Sequence, residues 1–263
     1  MNTVPNDPQL RAPSRRTFTK GATLLLLGGA IEPNLGASPV QPGALQTPEP
    51  FDYSFVDYWS EDQLAGRLEA DNRGVKPPLD KDVADAQRII AKAPSSSPLA
   101  VMNYFADLKA RGSTGELFNS RWKAYENPVV VWFFHATHTT PTGDCTSWCA
   151  AFLSWCLERC GLPSVHSASS QDYAKFGTET TTPKAGDVVV FQNTDDPGHG
   201  HVALLASAPG KDAKVVEVIG GNQGNAGAIP SCPKGYPVSA IGRATRSRSG
   251  DHGQIIRTFR RYA

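Results

Sequence analysis

Three observations predict an α+β fold. Helix-spaced apolar residues occur in the first half of the chain, one long helix apolar around most of its circumference begins near residue 148, and short strand-like runs follow residue 186. Helices first and strands later favour a buried helix packed on an antiparallel sheet, preceded by a small helical region. The 263 residues, 40% hydrophobic and 19% charged, are enough for a sizeable core. With 26 basic against 25 acidic residues, the chain lacks the charge excess of a nucleic-acid binder, and no nucleic-acid partner is expected.

At the N-terminus, Ser14-Arg15-Arg16-Thr17-Phe18-Thr19-Lys20 stands directly before an apolar run, 22–30, that holds four consecutive leucines. This resembles a bacterial twin-arginine export signal and implies a periplasmic or extracellular destination. The run is too short for a bilayer of ~30 Å, which needs ~20 helical residues, so it reads as the apolar stretch of a signal over residues 1–37 and no stable membrane span is expected. Its removal leaves the remainder near neutral. Residues 38–80 are Pro-rich and read as a linker containing an aromatic patch, Phe51, Tyr53, Phe55, Tyr58 and Trp59.

Residues 81–126 read as a helical subdomain or decoration. Val83, Ala86, Ile89 and Ile90 repeat with helical spacing over 82–92, and Leu99, Met102, Phe105 and Leu108 do so over 97–110. Residues 127–263 are expected to form the main domain. Its opening apolar run, Pro128 through Phe134, is a buried helix or strand that periodicity does not decide. The helix over 148–160 has Thr146 or Ser147 as N-cap and Gly161 at the residue after its end. Four strand-like runs follow, at 187–191, 201–205, 214–219 and 254–259.

The chemistry concentrates around Cys149, expected at the second or third position of the central helix. The first-turn amides there have no intrahelical partner, and together with the helix dipole they favour a thiolate. A thiol nucleophile needs a base and the base an orienting acceptor. His201 opens one strand and Asn222 ends the next, so two adjacent antiparallel strands bring them together, with the Asn oxygen accepting from one ring nitrogen while the other faces Cys149.

The residues Thr146-Ser147-Trp148-Cys149-Ala150-Ala151-Phe152, then Pro183-Lys184-Ala185-Gly186-Asp187, Gly200-His201-Val202 and Gly220-Gly221-Asn222-Gln223, resemble the CHAP and NlpC-type cysteine peptidase superfamily, in a branch with a Trp-Cys-Ala-Ala-Phe motif. The resemblance covers residues 127–225. It implies a papain-like fold and hydrolysis of peptidoglycan amide bonds, within the stem peptide or between N-acetylmuramic acid and L-alanine. Cys149 would be the nucleophile, His201 the base and Asn222 the orienting residue, with peptidoglycan as partner and no cofactor. The Cys149 backbone N–H is the natural first oxyanion donor; the sequence does not single out a second.

Other readings stay open at this level. Cys145 competes with Cys149, since Gly143-Asp144-Cys145-Thr146 also resembles openings used by relatives. His199 competes with His201. Cys156 and Cys160 read as buried small hydrophobes, and Cys232 is able to pair with Cys145 or Cys160 in an oxidising compartment. The cysteine spacing does not match short zinc knuckles, so no metal is expected. Glu217 reads as a solvated strand carboxylate and Asp187 as a strand-entry residue. A catalytically silent wall-binding domain, an acyltransferase and an antibacterial effector are the alternatives to a hydrolase.

Overall fold

The computed structural model describes residues 76–141, 146–223 and 239–262. The export segment 1–37, residues 38–75, Cys145 and Cys232 lie outside them. Among the described residues, four α-helices, α1 (Asp80–Lys92), α2 (Pro98–Ala106), α3 (Pro128–Trp132) and α4 (Cys149–Arg159), precede a sheet of β1 (Thr178–Glu179), β2 (Val188–Asn193), β3 (Gly200–Leu205), β4 (Val215–Gln223), β5 (Ala240–Ser247) and β6 (Gln254–Arg261). Among the described residues no helix is long and apolar enough to cross a membrane.

The helix starts are chemically specified. Ser97 Oγ accepts from the Ala100 N–H at 3.1 Å and Pro98 occupies the first turn of α2. Asn127 does more. Its Oδ1 accepts from the Val129 N–H at 2.9 Å, while its Nδ2 donates to the Phe118 and Ser120 carbonyls at 2.8 and 2.6 Å. This cap, with Pro128 next in line, turns the ambiguous run into helix α3 followed by the 3₁₀ turn Phe133–Ala136.

Helix α4 is buried from Cys149 through Leu157. It ends at Gly161, whose φ of 69° suits glycine, with the Leu162 N–H returning to the Leu157 carbonyl at 3.0 Å. Ser154 is fully buried and shares a 2.7 Å hydrogen bond with the Tyr173 hydroxyl. The upstream helices enter the same core. Phe105 of α2 meets Phe133, Phe152 and Trp155 edge-on at centroid distances of 5.3, 5.7 and 5.7 Å.

The sheet runs β1-β6-β2-β3-β4-β5 with every pairing antiparallel. Residues 240–247, outside the four strand-like runs, form strand β5 along nearly all of β4. Alternate sheet residues build two apolar faces. Val188, Val190, Val202, Leu204 and Ile219 join the helices, and Val189, Phe191, Ala203, Leu205, Val216 and Val218 form a second cluster. The sheet curls, so that Arg246 of β5 reaches Asp251 and Gln254 at the start of β6.

Two glycines of β4 allow close approaches, one to α4 and one to β3. A Cβ on Gly221 would stand 2.4 Å from Cζ3 of Trp148, and one on Gly220 would stand 3.0 Å from the Ala203 Cβ. Gly221 is therefore a steric requirement of seating the residue before Cys149 against β4, and Gly220 one of the close approach of β4 to β3.

Candidate active site

Strands β3 and β4 are in register at Leu204↔Ile219 and Leu205↔Val218, and the ladder does not continue toward His201. The first turn of α4 abuts that end of β3. Cys149 is the first helical residue, one position earlier than expected, with Trp148 as the cap residue. The backbone amides of Val202, Ala150 and Cys149 each favour its thiolate form. The thiol thus lies against the backbone immediately beyond His201.

The expectation that the helix start leaves Cys149 with a lowered pKa is corrected by burial. The residue is 4% exposed, and loss of water pushes the thiol up more than the three amides pull it down. His201 moves the opposite way. Burial lowers its pKa to about 4, against a raising hydrogen bond from Gln223 and with a further lowering by the Arg246 charge. The resting pair is a neutral thiol beside a neutral imidazole.

The residue whose amide meets His201 is Gln223, not Asn222. Gln223 Oε1 lies 2.8 Å from His201 Nε2, and Gln223 Nε2 donates to the Gly242 carbonyl at 2.6 Å. Because the amide nitrogen is committed to a carbonyl, the oxygen faces the ring and accepts. Nε2 therefore carries the proton of the neutral imidazole and Nδ1 keeps its lone pair, a tautomer assigned from the network. The physical cause of the one-residue displacement is a bulge. Asn222 has φ 56°, and the β4–β5 register slips between Gly220 and Gln223. Asn222 Oδ1 instead accepts from Ser239 Oγ at 2.7 Å and from Arg121 Nη2 at 3.4 Å.

The competing residues separate by position. His199 is exposed and bonded through Nδ1 to Asp196 at 2.7 Å. Cys156 is buried in the core, with its thiol pushed well up by burial, and Cys160 is half-buried. Glu217 is exposed and accepts from Thr245. Asp187 closes the turn into β2 by accepting from the Lys184 N–H at 2.9 Å, and it pairs with Arg261 at 2.6 Å. Sequence reasoning missed Gln223, although it closes the quoted Gly-Gly-Asn-Gln motif; a bulge that swaps the side chains of neighbouring residues leaves no sign in a two-residue alternation. It also did not single out Arg246.

A buried helix opening on a cysteine, packed on a curled antiparallel sheet whose β3 carries the histidine, is a papain-like α+β fold. Within it, the CHAP domain is found at residues 137–222. CHAP domains are in general cysteine amidases or peptidases that act on peptidoglycan. No curated protein and no solved structure matches the chain. The CHAP match ends one residue before Gln223 and also leaves out Gly242 and Arg246.

Proposed function

We propose that the chain is an exported cysteine hydrolase that cuts an amide bond of peptidoglycan, within the stem peptide or between N-acetylmuramic acid and L-alanine. Cys149 is the nucleophile, His201 the base, and Gln223 takes the orienting role that the family resemblance gives to Asn222. The observation carrying this reading is the bonded chain from the Gly242 carbonyl through Gln223 to His201 Nε2, beside a cysteine whose thiolate form the Val202 backbone amide favours. Export rests on Arg15 and Arg16 ahead of the leucine run.

Chemistry follows from the neutral pair. His201 Nδ1 removes the thiol proton as the sulfur attacks the amide carbonyl, and the imidazolium then gives that proton to the departing amine, leaving a thioester. A water molecule, deprotonated by the same nitrogen, attacks the thioester. Carboxylic acid and thiol are released. Amides at the start of α4, which now point at the sulfur, are the natural donors to the developing oxyanion.

Mass spectrometry of soluble fragments released from purified peptidoglycan tests the reading. A new free amine and its partner carboxylate identify the bond, whereas intact sacculi retained on the protein would support a silent binder. Transfer of the acyl group to an added amine in place of water would make it a transferase.

A further inference from the structure

Arg246 is 9% exposed and is held from two sides at the place where β5 curls toward β6. Its Nε donates to Asp251 Oδ1 at 2.8 Å and its Nη2 to Gln254 Oε1 at 2.9 Å. Asp251 is itself fixed by the Ser247 N–H at 2.7 Å, and Gln254 Nε2 donates to Asn193 Oδ1 at 2.8 Å. The guanidinium so clamped stands 4.5 Å from the centroid of Phe191. Phe191 is paired with His201 across β2 and β3, and the two rings lie 6.1 Å apart at 32°. The order Arg246, Phe191, His201 is a stack that begins in a rigid ion pair and ends on the imidazole.

We propose that Arg246 is a positioning residue for His201, acting through the Phe191 ring that it covers. The inference rests on His201 being the base. Gln223 fixes the imidazole at one ring nitrogen, which alone leaves rotation about that bond open. A flat ring laid beside the imidazole, itself held by a cation, limits that rotation. The arginine also adds a fixed positive charge on the Phe191 side. Gln223 from β4 bonds the ring directly, and Cys149 of α4 is coupled to the backbone of the next residue, Val202. From the 3₁₀ turn Ser170–Lys175, Gln171 holds the Phe191 carbonyl at 2.8 Å and in turn accepts from Arg257 at 3.0 Å. Burial and the Arg246 charge both disfavour the imidazolium.

The test is the titration of His201 by nuclear magnetic resonance in the whole chain, set beside the kinetic pH profile. In Arg246→Met the His201 midpoint moves up by roughly half a pH unit, about threefold in protonation, and kcat falls about tenfold while KM stays within about twofold. Arg246→Lys keeps the charge, restores the midpoint and recovers part of kcat. An unmoved midpoint together with an unchanged kcat in folded Arg246→Met overturns the proposal. If that variant does not fold, Phe191→Leu decides, because it leaves the Arg246 ion pair in place. A lowered kcat with constant KM supports the stack, and an unchanged kcat overturns it. The resonance titration needs no turnover, so failure to cleave peptidoglycan would remove the proposed activity and still leave the effect of Arg246 on His201 measurable.

Discussion

Gln223 makes two bonds at once, to the imidazole of His201 and to the Gly242 carbonyl, and this pairing fixes which ring nitrogen keeps its lone pair. Gln223→Ala is therefore expected to lower kcat by on the order of 10², and Asn222→Ala, whose side chain bonds Ser239 and Arg121, by clearly less. Steady-state kinetics on the two variants separates them. His201 also sets a pH window for stability. Its folded pKa is about 4 against an ordinary 6.5, so between these values the unfolded chain binds a proton that the folded chain refuses. Stability is unaffected by this group above pH 6.5 and falls as pH drops toward 4, by about 3 kcal/mol over the full window. Urea unfolding at several pH values checks this, and His201→Gln should flatten the slope. Cys149 and His201 stand out in the sequence because both sit in short motifs with a chemical reason. The acceptor was displaced by one residue, because a left-handed Asn222 reverses which neighbour faces the ring.

Helix α4 and the Gly220-Gly221 pair are the best-specified elements. The apolar circumference of 149–157 leaves the helix nowhere to go except the core, and Gly221 lets Trp148 and Phe152 approach β4. Gly221→Ala would force a Cβ into the Trp148 ring and is expected to cost about 1–3 kcal/mol, measured as a lowered midpoint of thermal or urea unfolding. Strand runs rich in valine were equally readable. Strand β5 was not, because its arginines, glycine and threonine carry little apolar alternation and its strand state comes from pairing with β4. Helix α3 was undecidable from periodicity, and the deciding feature is local: the Asn127 side chain caps the first turn and ties it to the Phe118 and Ser120 carbonyls.

Over the molecule as a whole, the described residues before the CHAP match pack into the same core as α4. The Ile241 N–H bonds the Asn119 carbonyl at 2.7 Å, the Arg121 N–H bonds the Ser239 carbonyl at 2.9 Å, and the Arg121 guanidinium reaches Thr146 and Asn222. Helical spacing found the helices of this region and gave no hint of these ties, since they join residues 25 to 122 positions apart. Near-neutral charge likewise says nothing for or against a wall substrate, so the functional reading stands on the local site. Its central claim is that Cys149 is the nucleophile of an amide hydrolase. The most direct measurement compares release of soluble fragments from purified peptidoglycan by the unaltered chain, by Cys149→Ala and by Cys160→Ala, each first shown to be folded. The account predicts release by the unaltered chain and by Cys160→Ala, with none above background from Cys149→Ala; undiminished release by folded Cys149→Ala would contradict it.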